Sequence, residues 1–152
     1  MKVFLDTNVL VSGFTTRGLC ADVIRLVLAE HELVVGEVVL KELERVLARK
    51  IELPAETVQE IIAFLEQQPI QPTPKAVSPI PVRDEDDQWV LASALAATAE
   101  VLVTGDKDLL DIAGKVTGLT ITDPRGFWNL AKKRPKKYAP LAGESGAFVS
   151  DA

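Results

Sequence analysis

Lys2-Val3-Phe4-Leu5 is an apolar run that ends abruptly on Asp6-Thr7-Asn8 before apolar residues resume at Val9 and Leu10. A short run with no polar alternation predicts a strand buried on both faces, as in a parallel sheet covered by helices. Such sheets place their chemistry just beyond the carboxyl ends of the strands. Asp6 stands at that point, flanked by a hydroxyl and an amide. The grouping suits a site that binds a hard cation through oxygen.

The rest of the chain repeats the pattern. Val23, Ile24, Val27 and Leu28 fall at helical spacing, and Leu33-Val34-Val35 form a short second strand stopped by Gly36. Residues 37–49 return to helical period, with Val39, Leu43, Val46 and Leu47 on one stripe. Pro54 opens a further helix at its first turn, with Val58, Ile61, Ile62 and Leu65 on its apolar face; these two helices are expected to form an antiparallel pair. Gln67 to Val82 carries five prolines and reads as an extended crossover with room for a short edge strand. Asp84-Glu85-Asp86-Asp87 starts a helix through Trp89, Val90, Leu91, Ala94 and Leu95, where acidic residues favour the N-terminus. Val101-Leu102-Val103 is a strand ending on Thr104-Gly105-Asp106. A helical turn at 107–112, a strand at Leu119-Thr120-Ile121, and a helix from Asp123-Pro124 to about Leu130 complete the chain. The order β-α-β-α-α-(extended)-α-β-α-β-α predicts an α/β fold with a central parallel sheet covered on both faces.

Composition narrows the chemistry. A chain of 152 residues with 47% apolar content is expected to be one soluble domain. No membrane span and no signal peptide are visible, so a cytoplasmic location is the default expectation. The single Cys20 excludes an internal disulfide framework and multi-cysteine zinc sites, and Cys20 reads as a small helix residue. His31 is the only histidine, which removes Ser-His-Asp triads and multi-histidine zinc sites; it is expected at a loop-to-strand junction. Net charge is −5, yet 12 of the 17 basic and 20 of the 22 acidic side chains lie in residues 1–130, which makes that part −8. An acidic body suits divalent cations. The basic cluster Lys132, Lys133, Arg134, Lys136 and Lys137 suits either RNA phosphates or a solubilising tail. The expected division is a domain at 1–131 and a flexible tail at 132–152.

Four carboxylates stand out. Asp6 and Asp106 follow strands in the same manner, and pairing of those strands would bring them together. Each can also be a loop residue capping the next helix. Glu42 lies with Val39 and Val46 at the edge of an apolar stripe, where a carboxylate needs a cation or donors; it can equally be a boundary residue that reaches solvent. Asp87 is spaced to face inward with Val90, Leu91 and Ala94, with Asp84 one turn earlier. Glu44, Glu85 and Asp86 point elsewhere. Inward carboxylates repel one another unless cations intervene. Mg2+ or Mn2+ prefers such oxygen-rich sites and supports phosphodiester cleavage without histidine or cysteine. Thr7, Asn8 and Thr104 can orient ligands or waters, or serve in turn and cap hydrogen bonding.

With these residues in order, the sequence resembles the PIN-domain family. The pieces that carry the likeness are Val3-Phe4-Leu5-Asp6-Thr7-Asn8-Val9-Leu10, Lys41-Glu42-Leu43-Glu44-Arg45-Val46-Leu47, Asp84-Glu85-Asp86-Asp87 leading into Trp89-Val90-Leu91-Ala92, and Leu102-Val103-Thr104-Gly105-Asp106-Lys107-Asp108-Leu109-Leu110. The closing Ile121-Thr122-Asp123-Pro124-Arg125-Gly126-Phe127 is similar to the branch assigned to toxin–antitoxin pairs. The likeness covers about residues 1–131. It implies a three-layer α/β/α sandwich (PIN-like) and a Mg2+- or Mn2+-dependent ribonuclease, the VapC-like toxin of a VapBC-like pair. It implies an acidic set at Asp6, Glu42, Asp87 and Asp106, with Asp6, Asp87 and Asp106 on metal and Asp84 and Asp108 in an outer ring. Thr7, Asn8 and Thr104 match the family's polar helpers. A homodimer, a separate antitoxin chain, an RNA substrate, and products with 5′-phosphate and 3′-hydroxyl ends are further implications. Glu85 and Gln88 depart from the branch's usual residues, and among Asp84, Asp86 and Asp87 the third ligand is assigned to Asp87.

Two rival functions are open to the same residues. One is a non-catalytic PIN-type module that binds RNA or protein, which divalent-metal titration distinguishes. The other is a phosphatase with Asp6 as nucleophile, for which a second Asp two residues on is missing because Asn8 stands there.

Overall fold

The computed structural model describes residues 1–133. In chain order, the strands are β1 (Lys2–Leu5), β2 (Glu32–Gly36), β3 (Ile70–Gln71), β4 (Val101–Val103) and β5 (Thr120–Thr122). The helices are α1 (Thr7–Thr15), α2 (Leu19–Glu30), α3 (Glu37–Arg49), α4 (Ala55–Glu66), α5 (Glu85–Ala96), α6 (Lys107–Asp111) and α7 (Pro124–Lys133), with a 3-10 turn at Ala113–Lys115. All strand pairs are parallel, in the order β3-β2-β1-β4-β5. The chain moves outward from β1 through β2 to β3, returns across the sheet to β4, and moves outward the other way to β5. Right-handed crossovers in opposite directions put helices on opposite faces, and the result is a three-layer α/β/α sandwich.

The apolar runs are the sheet's interior. Val3, Phe4, Leu5, Val101, Leu102 and Val103 are all essentially inaccessible. Burial of each such side chain contributes about 1.5–3 kcal/mol. The register sets Leu5 opposite Val103, so the residues that follow, Asp6 and Thr104, emerge side by side. The gap between β1 and β4 is also where the strand order reverses, the place at which an open parallel sheet leaves a crevice.

Close packing requires glycine at Gly36. A Cβ there would come within 2.5 Å of Cζ of buried Phe4. Gly36→Ala is therefore expected to destabilise the protein by about 1–3 kcal/mol through overpacking. Urea unfolding of the two proteins measures it.

Several elements differ from the sequence pattern. The pattern predicts one helix between the first two strands, and two are present, broken at Thr16-Arg17-Gly18 where Gly18 has φ 143°. Pro54 directly precedes its helix rather than lying within it. Leu28 is exposed rather than part of an apolar face, and Val46 and Ile61 are only partly buried. β5 lies one residue later than the pattern places it, and α7 runs on to Lys133. The proline-rich crossover does hold a two-residue edge strand, β3, flanked by Pro69 and Pro72. Thr73 N–H and Oγ1 donate to Glu37 Oε1 at 2.9 and 2.7 Å, pinning the crossover to the start of α3. These bonds hold the Glu37 carboxyl below its usual range. His31 ends α2, with Nδ1 3.2 Å from the Met1 amine and its ring edge-on to Phe127. Most of the expected basic tail, from Arg134 on, lies outside the described residues.

Candidate metal centre

Asp6 is buried at the end of β1 and caps α1, accepting Thr7 N–H at 2.7 Å on Oδ1. Its other oxygen, Oδ2, accepts the Thr104 hydroxyl at 2.8 Å and the Asn8 amide at 3.3 Å. The Thr104 oxygen in turn accepts Asp106 N–H at 2.9 Å. One fully buried hydroxyl thus couples the carboxylate after β1 to the backbone of the loop after β4. Asn8 closes a second link by accepting Gly105 N–H at 2.8 Å on Oδ1. Asp106 caps α6 through Asp108 N–H at 2.8 Å. The capping role and the place in the carboxylate cluster therefore coexist in Asp6 and in Asp106.

Glu42 reaches the same cleft from the middle of α3. Thr7 Oγ1 donates to its Oε1 at 3.1 Å, while Oε2 lies 3.6 Å from the Arg45 guanidinium. Both members of that ion pair are well exposed, so it contributes little to stability. Asp87 differs. It is buried in the first turn of α5, and its Oδ2 is out of reach of water and of any donor among the described residues. Burial pushes its carboxyl up to about 8, helped by the charge of Asp106 and a contact with it, and then by Asp6 and Asp84. A carboxyl–carboxyl contact bonds only when one partner carries a proton. Burial also raises Asp6, with Glu42 and Asp106 adding to the effect and the bonds from Thr104 and Thr7 opposing it.

Asp6, Thr7, Asn8, Glu42, Asp87 and Asp106 line one cleft of about 450 Å³. All four carboxylates singled out in the sequence thus meet in one place. Asp84 and Asp108 stand beside it: one carboxylate oxygen each from Asp84, Asp87 and Asp108 lie within 4.8 Å of one another. Asp84 is exposed and caps α5 through Asp86 N–H, and Asp86 lines a neighbouring cavity rather than the cleft. Val11, Ser12 and Thr16 are further cleft walls that lie outside the residues singled out by motif, and Val46, read as part of the α3 apolar stripe, is another. Asn8, Ser12 and Thr16 recur every fourth residue, a helical signal that marks them once 7–15 is read as a helix.

A hard divalent cation fits this donor set. The ligands on offer are oxygen, the cleft walls include no histidine or cysteine, and Asp87 supplies a buried carboxylate oxygen that no donor among the described residues satisfies.

No curated protein matches the chain. Among solved structures, the fold is similar to a chain in the crystal structure of VapBC2 from Rickettsia felis bound to a DNA fragment from their promoter. The TM-score is 0.57 at 17% identity, over 81% of this chain and 98% of that one. At that identity the likeness is one of fold. A family model described as PIN domain matches residues 2–108, well over half of the sequence and every carboxylate of the cleft, and the chain therefore belongs to the PIN-domain family.

Proposed function

We propose that this protein is a Mg2+- or Mn2+-dependent endoribonuclease, the toxin of a VapBC-like pair. The observation that carries the catalytic reading is Asp87: a buried carboxylate with an unsatisfied oxygen, packed among Asp6, Asp84 and Asp106. Such a group destabilises a purely structural domain, and a bound cation relieves it. Membership of the PIN-domain family supports a nuclease.

Asp6, Asp87 and Asp106 would hold the metal, with Asp84 and Asp108 at its outer side. When bound, a divalent ion supplies an activated water near neutral pH and stabilises charge on the leaving oxygen. The chain's own residues do the rest. Thr104 and Thr7 fix the two Asp6 oxygens, and Thr7 also holds Glu42 Oε1. Glu42 positions the attacking water and takes its proton at Oε2. Asn8 keeps the loop after β4, and with it Asp106, against β1.

The toxin reading rests on fold likeness to a VapBC structure and on the sequence pattern from Ile121 to Phe127. It carries with it a separate antitoxin chain, a homodimer and a cytoplasmic site of action. No helix among the described residues is long and apolar enough to cross a membrane.

The test is cleavage of single-stranded RNA with Mg2+, Mn2+ or chelator, comparing wild type with Asp6→Asn. Metal-dependent cleavage that persists in Asp6→Asn overturns the assignment, and absence of divalent binding in calorimetry favours a non-catalytic module. Thr104→Val keeps the side chain's shape and removes the hydroxyl that orients Asp6. It is expected to weaken Mn2+ binding by about 10–100-fold, the usual effect of losing a group that orients a ligand. Calorimetric titration measures it.

A further inference from the structure

A second cavity, of about 240 Å³, opens next to the cleft and shares Glu42 with it. Two helix stripes make its walls. Val38, Glu42 and Arg45 come from α3 at i, i+4 and i+7; Asp86, Trp89 and Val90 come from α5 at i, i+3 and i+4. Trp89 does not complete the core as Val90 and Leu91 do. It stays partly exposed and forms a wall of this cavity. The volume lies just below the roughly 300–1,000 Å³ usual for drug-sized ligands, which suits a fragment as large as one base.

We propose that this cavity is the nucleobase subsite of the nuclease, that it receives the base next to the scissile phosphate, and that it prefers guanine. The proposal rests on the ribonuclease reading above. The indole of Trp89 offers a stacking face, Val38 and Val90 an apolar floor, and Arg45 a cation at the junction with the cleft, where the sugar–phosphate would pass. Asp86 supplies the selectivity. Its carboxylate only accepts hydrogen bonds, and the Watson–Crick edge of guanine presents two adjacent donors, N1–H and the 2-amino group. Adenine presents one donor beside an acceptor, and uracil one donor between acceptors. A carboxylate at this wall also repels phosphate, which favours the neutral base in the cavity and the phosphate at the cleft.

The experiment titrates the full chain with GMP, AMP, CMP and UMP, and with ribose 5-phosphate as the base-free control, following tryptophan fluorescence. GMP is expected to quench emission saturably and with the highest affinity. The response should survive Trp128→Phe, which removes the other indole, and vanish in Trp89→Phe. Trp89→Ala, checked for folding by circular dichroism, should weaken GMP binding measured by calorimetry by at least about tenfold, within the range for loss of base–aromatic stacking. Asp86→Asn should shift preference from GMP toward AMP, because an amide offers both a donor and an acceptor. Absence of saturable quenching by all four nucleotides, a response that follows Trp128, or a GMP preference unchanged in Asp86→Asn each overturns the subsite. Calorimetry in which ribose 5-phosphate binds as tightly as GMP overturns it as well. Base-selective nucleotide binding without metal-dependent cleavage overturns the nuclease reading alone; cleavage without base selectivity overturns the subsite alone.

Discussion

Asp6→Asn is expected to reduce metal-dependent RNA cleavage by about three orders of magnitude or more, with little loss of fold. The expectation follows from how much converges on one carboxylate. Asp6 accepts three hydrogen bonds within the protein, lies at the carboxyl end of the central strand, and shares the cleft with Asp87, Asp106 and Glu42. Asparagine still caps a helix as well as aspartate does, so α1 keeps its start. What is lost is a negative charge where the proposed cation would sit, together with the Oδ2 acceptor of the Thr104 and Asn8 hydrogen bonds. Circular dichroism and a thermal melt confirm the fold, and single-turnover cleavage gives the rate. Loss of Mn2+ affinity in calorimetry, in parallel with the rate, assigns the effect to metal binding.

The second large effect concerns pH. Asp87 has a carboxyl raised from 3.8 to about 8 in the metal-free protein. Between those values the native state holds a proton that the unfolded chain has released. The stability tied to that proton is full below about pH 4 and is lost as pH rises through about 8. Asp6 is raised in the same direction. Metal-free wild type is therefore expected to lose about 2–5 kcal/mol between mildly acidic and mildly alkaline pH, since each tenfold difference in proton affinity between the native and unfolded states is worth about 1.4 kcal/mol. Asp87→Asn should flatten that slope and be more stable than wild type near pH 8, since its amide can donate to the neighbouring carboxylates. Saturating Mg2+ or Mn2+ should remove the slope in wild type alone, because cation and proton compete for the same oxygens. Urea midpoints across the pH range, with and without metal, measure all three. A metal-free wild type whose midpoint rises from pH 6 to 8 (about two decades in proton activity) contradicts the account.

Much of this was legible in the residues, for reasons that differ from place to place. The two central strands announced themselves because strands buried on both faces cannot carry polar side chains, and Val3-Phe4-Leu5 and Val101-Leu102-Val103 carry none. Asp87 was legible through its spacing to Val90, Leu91 and Ala94, which fixes the face on which it lies. Helix α1 was not legible. Val9, Val11 and Gly13 are weak helix formers, and the helix owes its existence to the Asp6 cap and to packing against α2 and α3. A capping role and the proposed ligand role could not be separated at Asp6 or Asp106, because a carboxylate just after a strand can serve both with the same atoms. Trp89 illustrates another limit. Its period groups it with the packed residues of α5, and only the spacing between α3 and α5 leaves its ring facing a cavity.

The link from Thr104 to Asp6 spans 98 positions of the chain. During synthesis β1 emerges first and can pair with β2, but its other edge stays open until β4 has left the ribosome. Only then does the Thr104 hydroxyl reach Asp6 and bring Asp106 beside it. A ribosome-bound fragment that stops short of Val101 contains Asp6, Glu42 and Asp87 but has no cleft in which to use them. The order of strands in the sheet thus acts as a timer: a growing chain assembles its carboxylate cleft late, when nearly all of the domain that carries it has already been made.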